Sequence, residues 1–349
     1  MDLSFYRGKR VLVTGHTGFK GTWLCRLLLN AGAEVLGYSR CRQKDPSLFA
    51  LSGVENRLVH VKGDVRDYPR LLESFRSFRP ELVFHLAAQP IVRVSYVNPL
   101  ETYGTNVMGT VNVLEAIRET GSVKSGLIVT TDKVYRNNEW AWGYRENDVL
   151  DGFDPYSNSK SCAELAVGSY RRSFLDAARI PVSTARAGNV LGGGDFARDR
   201  IVPDCVRAAA KGEKILVRNP GSVRPFQHVL EPLLAYLLIA ERQWADPALA
   251  GSYNIGPEDG DCLKTGELVS LFCEIWGEGA AWIDGSDPTA PHEAGLLKLD
   301  CSRMKSVFGW QPRWHIRECM EETVRFSKLW LAGGDVPGEM DREIGRYLG

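Results

Sequence analysis

The sequence predicts an α/β fold: a doubly wound parallel sheet followed by a smaller C-terminal α/β domain that binds substrate. Three observations predict it. Short β-branched runs alternate with longer helical patterns through the first half, a glycine-spaced loop joins the first run to the first helix, and the regular alternation stops near residue 190. Strands that alternate with helices lie parallel, because each crossover must carry the chain back along a helix, and those helices cover both faces of the sheet.

Taken in order, "RVLVTG" (10–15) reads as a buried strand and "TWLCRLLLNAGA" (22–33) as a helix ending near Gly32. "EVLGYS" (34–39) and "LVHVKGDV" (58–65) are the second and third strands, "YPRLLESFRSF" (68–78) a helix, and "ELVFHLAA" (81–88) the fourth strand. A helix through 105–120, a strand "GLIVTT" (126–131) and a helix starting near Tyr156 complete the pattern. Beyond about residue 190, Gly, Pro and charge are more frequent. The expected division is a first domain over 1–188, with 228–255 returning to it through the apolar "HVLEPLLAYLLIAERQ", and a second over 189–227 and 256–349.

The 349 residues are 44% hydrophobic and 25% charged, which is enough for a large core and about two domains. Formal net charge is zero and the pI is near 7.0, so no electrostatic footprint for nucleic acid or an anionic membrane stands out. The eight cysteines (Cys25, Cys41, Cys162, Cys205, Cys262, Cys273, Cys301 and Cys319) form no C-x-x-C pair. That spacing fits reduced thiols of a cytoplasmic protein and offers no metal cluster. The N-terminus has no signal-peptide core, and "PLLAYLLIA" (232–240) is too short to span a bilayer.

"VLVTGHTGFKG" sets Gly15, Gly18 and Gly21 between a strand and a helix. Glycine lets the backbone turn tightly and approach a pyrophosphate, and the helix presents free N–H groups and its positive dipole end. This marks a Rossmann-type dinucleotide site, with Thr17, Phe19 and Lys20 in the same loop; an ordinary tight turn is the bland alternative. The second strand ends in Ser39-Arg40, with no acid for the ribose of NAD, so Arg40 leaves NADP open beside NAD. Asp64 and Val65 follow the third strand, where Asp64 can reach the adenine edge or cap the next helix. Leu86, Ala87 and Gln89 lie at the carboxyl end of the fourth strand, where open α/β sheets bind ligands.

"YSNSK" puts Tyr156 and Lys160 one helical turn apart on one face. A lysine beside a phenol favours the phenolate, so Tyr156 can accept a hydroxyl proton. "TTDKVYRN" (130–137) adds a hydroxyl, a carboxylate and an amine at Thr131, Asp132 and Lys133. Simple hydride transfer needs one acid–base group, so the extra pair calls for further proton chemistry. A surface Asp–Lys pair is the plain alternative.

The glycine loop, "HLAAQ" (85–89) and "YSNSK" resemble the extended short-chain dehydrogenase/reductase family, which includes nucleotide-sugar 4,6-dehydratases and epimerases. Within it, Asp132-Lys133 resembles the cytidine-diphosphate-glucose (CDP-glucose) branch of the dehydratases, where most branches carry Thr-Asp-Glu. So do "GHTGFKGTWL" (15–24), "WAWGYRENDVLDGFDPYSNSK" (140–160), "RAGNVLGGGDFARDR" (186–200), "NPGSVRPFQHVLEPL" (219–233) and "LKLDCSRMKSVFGWQPRW" (297–314). The resemblance implies a nucleotide-sugar substrate, a nicotinamide cofactor that is used and regenerated, and a homodimer or homotetramer. It gives Tyr156 the proton of the hydroxyl on sugar carbon 4, Lys160 the support of that phenolate, and Thr131 the alignment of the same oxygen. Asp132 becomes the acid for the hydroxyl leaving carbon 6 and Lys133 the base at carbon 5. Whether these two stand as a neutral pair or as an ion pair that trades a proton is open in the sequence.

For the substrate, Gln89 is placed near the sugar and Asn189 at the nicotinamide–sugar crevice; Arg224 and His228 are substrate candidates in the second-domain region, where an arginine fork suits a diphosphate because it pairs with two oxygens, and Arg200 is a second possibility. Surface ion pairs are the alternative for Arg200 and His228. His85 reads as a satisfied core histidine, Tyr103 and Met108 as packing residues, "GGG" (192–194) as a movable loop or a turn, and Trp140 and Trp142 as a wall or as packing. Two other readings keep the fold: a 4-epimerase or reductase, and a non-catalytic dinucleotide-binding regulator.

Overall fold

A computed structural model describes residues 2–40, 45–287 and 294–349; Cys41 lies outside them. Seven parallel strands form one sheet: β1 (Arg10–Thr14), β2 (Glu34–Ser39), β3 (Val59–Lys62), β4 (Leu82–His85), β5 (Ser125–Val129), β6 (Val182–Ala187) and β7 (Ser252–Ile255). Their order is β7-β6-β5-β4-β1-β2-β3. The order reverses between β1 and β4, and a crevice opens at the carboxyl ends of strands at such a point.

Side chains alternate across the sheet, as the pleat requires. Val11 and Val13 of β1 enter one core with Trp23, Leu27 and Phe84. Leu12 points the other way and joins Leu36, Val83 and Ile128. Each such fully buried aliphatic side chain contributes roughly 1.5–3 kcal/mol. The helices that cover the sheet include α1 (Phe19–Asn30), α2 (Tyr68–Phe78), α3 (Gly109–Thr120) and α4 (Pro155–Tyr170). Local chemistry sets their ends. Asp67 accepts a hydrogen bond from the Arg70 amide at the start of α2, with proline in the first turn, and Arg79 closes it in the left-handed region. Asp154 caps α4 in the same way, accepting from the Ser157 amide, and Pro155 is its first residue.

The C-terminal half contributes α5 (Ile201–Ala209), α6 (Leu230–Ala245), α7 (Thr265–Trp276), α8 (Ile316–Leu331) and α9 (Val336–Leu348). Three short strand pairs lie among them, the antiparallel one joining Cys262–Lys264 to Val223–Pro225. The segment α6 does return to the sheet: Gln243 donates to the carbonyl of Gly126 and to the hydroxyl of Ser125 on β5. The chain then adds β7 beside β6.

Some boundaries differ from the sequence reading. The first helix starts at Phe19, because the glycine loop hands over to it directly, and the fourth strand stops at His85, leaving Leu86 to Gln89 as crevice loop. The 105–120 helix opens with a π-helical stretch, Gly104–Met108. Met108 is 54% exposed, so it does not support packing as expected, whereas the Tyr103 hydroxyl does, donating to Asn158 on α4. "GGG" is a packed turn rather than a free loop: a Cβ on Gly193 would lie 1.9 Å from the Phe326 ring, and Trp23 donates to the Gly193 carbonyl.

Candidate active site

The glycine loop is built for close backbone approach. Gly15 has φ +74°, and a Cβ there would lie 2.7 Å from the Ala87 nitrogen, while one on Gly21 would lie 2.2 Å from the Gly15 carbonyl oxygen. No side chain caps α1 at Gly18, and no acid occupies its first turn, so its leading N–H groups face the crevice unanswered. That suits a pyrophosphate. Nearby, Ser39 and Thr17 share a hydrogen bond of 2.8 Å. Asp64 is gripped by the Arg66 guanidinium, whose hydrogen bonds hold its carboxyl below the usual range. Val65 is buried beside it. Arg40, which left NADP open, instead makes an ion pair with Glu101 at 2.6 Å.

The triplet follows β5 directly. Thr131 opens a short 3-10 turn, Asp132–Val134, and its hydroxyl donates to Asp132 Oδ1 at 2.9 Å. Asp132 is 1% exposed, so the plain surface pair is ruled out. Its Oδ2 is buried with no hydrogen-bond partner among the described residues. Burial pushes its pKa up, and Lys133, Thr131, Arg224 and Lys20 pull against that rise. Lys133 is half-buried beside it.

Tyr156 stands in the first turn of α4, next to Thr131. Burial raises its phenol to about 12, opposed by the Thr131 hydrogen bond and by Arg200. Lys160, one turn on, donates to the Val129 carbonyl at 3.0 Å. Burial lowers its ammonium to about 8, with Glu164 pulling the other way. Lys20 was grouped with the cofactor loop. Its ammonium reaches the Tyr236 hydroxyl at 3.5 Å and shares the electrostatic neighbourhood of Arg200, Asp132 and Lys160, and burial lowers it to about 8. The two substrate arginines split. Arg200 pairs with Asp195 at 2.8 Å within electrostatic reach of Tyr156, whereas the Arg224 guanidinium, on the Val223–Pro225 strand, donates to the carbonyls of Val223 and Ala294 while its charge still acts on Asp132.

Other expected residues are tied to the scaffold by hydrogen bonds or packing. The Gln89 side-chain amide is committed: its nitrogen donates to Ile91 and Thr102, and its oxygen accepts from the Ile91 amide. His228, a substrate candidate with a surface ion pair as the alternative, is fully buried, 2.6 Å from Glu343 and packed against Trp23 and Trp314. Its sequence neighbourhood resembled a substrate strand, and only the tertiary structure turns the ring inward. Asn189 is half-buried and its carbonyl accepts from the Gln227 amide. His85 is the satisfied core histidine expected, bonded to Thr14 and Thr110. Trp140 stacks on Tyr144, whereas Trp142 is 74% exposed and walls nothing. The sequence reading missed Glu164, Arg186 and Tyr135. The available signals were an acid four residues past Lys160 and an arginine inside the apolar strand "VSTARA".

The comparisons with known proteins agree with this geometry. The chain is 45% identical to the CDP-glucose 4,6-dehydratase of Salmonella typhimurium, over 100% of this chain and 98% of that one. A solved dTDP-glucose 4,6-dehydratase from Bacillus anthracis in complex with NAD superposes with a TM-score of 0.77 at 21% identity, covering 92% of this chain and 97% of its own. The UDP-glucose 4-epimerase of Thermus thermophilus in complex with NAD gives 0.79 at 26% identity, covering 91% and 99%. The sequence profile of the GDP-mannose 4,6 dehydratase family matches residues 12–323, and the chain, with a Rossmann sheet, a glycine cradle and an acid–base triplet at one crevice, belongs to that family.

Proposed function

We propose that the protein is a nucleotide-sugar 4,6-dehydratase that converts CDP-glucose to CDP-4-keto-6-deoxyglucose. The single observation that carries the reading is Asp132: a buried carboxyl with one oxygen unpartnered among the described residues, set between Thr131 and Lys133 at the end of β5. An epimerase or reductase has no use for that extra acid–base pair. The cytidine preference draws its support from the full-length relative.

The cradle at Gly15, Gly18 and Gly21 fits a dinucleotide, which we take to be NAD, as in the neighbours above. When bound, it would supply reversible acceptance of a hydride from sugar carbon 4 and its return to carbon 6. The chain's own groups do the rest. Tyr156 takes the proton of the carbon-4 hydroxyl, Thr131 holds that oxygen, and cationic Lys160 favours the phenolate. The resulting ketone acidifies carbon 5, where Lys133 is the base. Asp132, whose burial favours the protonated form, gives a proton to the hydroxyl leaving carbon 6. We assign the diphosphate to Arg200 and Arg224, whose charges reach Tyr156 and Asp132 respectively.

The proposal extends to organisation. Residues 1–188 with 228–255 hold the dinucleotide, and 189–227 with 256–349 hold the nucleotide sugar. Among the described residues no helix is long and apolar enough to cross a membrane. The seven described cysteines are free thiols, which supports a cytoplasmic setting. Leu100, Met108 and Leu165 expose apolar surface on helices packed around α4, which supports a homodimer or homotetramer. The test is incubation with a panel of nucleoside-diphosphate-glucoses, read by mass spectrometry. Loss of one water from CDP-glucose, with no build-up of reduced nicotinamide, is expected; stoichiometric build-up of NADH would refute it.

A further inference from the structure

We propose that the buried Glu164–Arg186 ion pair is a positioning device: it clamps the Thr131–Lys133 segment, on both sides, to the helix that carries Tyr156 and Lys160. The pair is buried between β6 and α4, one helical turn beyond Lys160.

The side chains of Arg186 on β6 and Glu164 on α4 are 3% and 1% exposed and meet at 2.8 Å. Burying two charges costs about as much as their attraction returns, so an apolar pair would serve stability equally well. The use of the pair lies in what it fixes. Thr130, immediately before the triplet, donates to Glu164 Oε1 at 2.5 Å, and Thr184 of β6 donates to Oε2 at 2.7 Å. Arg186 Nη1 donates to the Tyr135 hydroxyl at 2.8 Å, two residues after the triplet, and to the Glu146 carbonyl at 2.9 Å. The Tyr135 hydroxyl passes its own proton to Asn254 Oδ1 on β7 at 2.6 Å. One ion pair therefore holds the residue before Thr131 and the turn after Lys133 against α4.

The same carboxylate acts on Lys160. Glu164 follows it by four residues, one turn along α4, and its charge favours the ammonium that burial opposes. Burial alone would raise the Glu164 carboxyl, but the Arg186 charge and the donated hydrogen bonds more than offset that and hold it ionised. The clamp thus has two outputs. Its carboxylate end sets the charge of Lys160, which serves proton removal at carbon 4. Its arginine end sets the position of Asp132 and Lys133, which serve the elimination.

The two outputs are separable with a substrate analogue, and the separation rests on the dehydratase reading. CDP-6-deoxyglucose can be oxidised at carbon 4 but has no carbon-6 hydroxyl to lose, so its reduction of bound nicotinamide isolates the first step. For Glu164→Gln, that step is expected to slow about tenfold, with its alkaline limb moved to lower pH, because the charge that keeps Lys160 protonated is gone. Tyr135→Phe is expected to leave it within about twofold and to slow water loss from CDP-glucose by tenfold to about a hundredfold, as expected for a misplaced reacting group. Tyr135→Phe keeps the ion pair, so it decides the matter should Glu164→Gln fail to fold. Hydrogen exchange on the NAD-free chain gives a readout independent of turnover: Tyr135→Phe should speed exchange over residues 130–135. Folded variants with wild-type rates, pH limbs and exchange, or equal slowing of both steps by Tyr135→Phe, would overturn the clamp. A wild-type enzyme that neither reduces its nicotinamide with the analogue nor dehydrates CDP-glucose would instead sink the reaction reading and leave exchange to judge the clamp.

Discussion

Two regions of the molecule bury clusters of ionisable groups, and they treat them in opposite ways. Where α8 and α9 pack, Glu322, Glu339 and Glu343 come within 4.8 Å of one another, and each meets a basic group. Glu322 pairs with Arg342 and Arg346 and Glu339 with Arg325 and Arg342, while Glu343 lies 2.6 Å from the His228 ring with neither carboxylate oxygen hydrogen-bonded among the described residues. In the crevice the balance is left open. Among the described residues Asp132 Oδ2 has no hydrogen-bond partner, and Lys20 feels Arg200 and Lys160 as like charges. A buried charge without compensation is expensive, so the fold tolerates it where a ligand or a reaction will use it. Arginine–glutamate pairs tie the C-terminal helices together; in the crevice, burial instead shifts Asp132 towards its protonated form and Lys20 and Lys160 towards their neutral ones.

The sharpest way to break that contrast is Lys133→Ala. It should spare nicotinamide reduction by CDP-6-deoxyglucose and cut water loss from CDP-glucose by about a thousandfold, in the range of losing a general base. Normal dehydration by this variant would take Lys133 out of the mechanism. The C-terminal knot should respond in stability instead. Glu322→Gln is expected to cost about 2–3 kcal/mol in urea unfolding, less than a fully buried pair because both arginines keep some water contact, with kcat per folded molecule unchanged. A smaller effect is expected at Lys20. Lys20→Met should lower kcat about tenfold and leave the Kd for NAD within about threefold, with Lys20→Arg recovering most of the loss. A large loss of NAD affinity with kcat intact would return Lys20 to the cofactor loop where the sequence reading had it.

The mildest prediction concerns pH. Burial depresses His16 and His85 from 6.5 to about 3 in the folded chain. The unfolded chain therefore binds these protons first as pH falls, so their contribution is complete above pH 6.5 and is lost progressively from there down towards 3. The urea midpoint should decline through this window; a flat midpoint down to about pH 5 would contradict the burial of both rings.

How far the sequence could be read follows from the range of the forces involved. Strand and helix positions were legible because β-branched runs, caps such as Asp67 and glycines such as Gly15 act within a few residues. The triplet and the Tyr156–Lys160 pair were legible because a strand end or one helical turn brings each group together locally. The partners of His228, Gln89 and Arg40, namely Glu343, Thr102 and Glu101, were not legible because tertiary packing chooses them. Glu164 and Arg186 escaped notice for the same reason: 22 residues separate them, and only the β6–α4 packing brings them together.

The order of the strands has a consequence for synthesis. The seventh strand, Ser252–Ile255, seals the flank of β6 and is preceded by the helix that covers β5. A ribosome must therefore deliver nearly three-quarters of the polypeptide before the edge of β6 is covered. Fragments ending near residue 190 would carry that edge into water, where strands recruit one another, and should clump, whereas chains ending just past Ile255 should remain dispersed long enough to be handled.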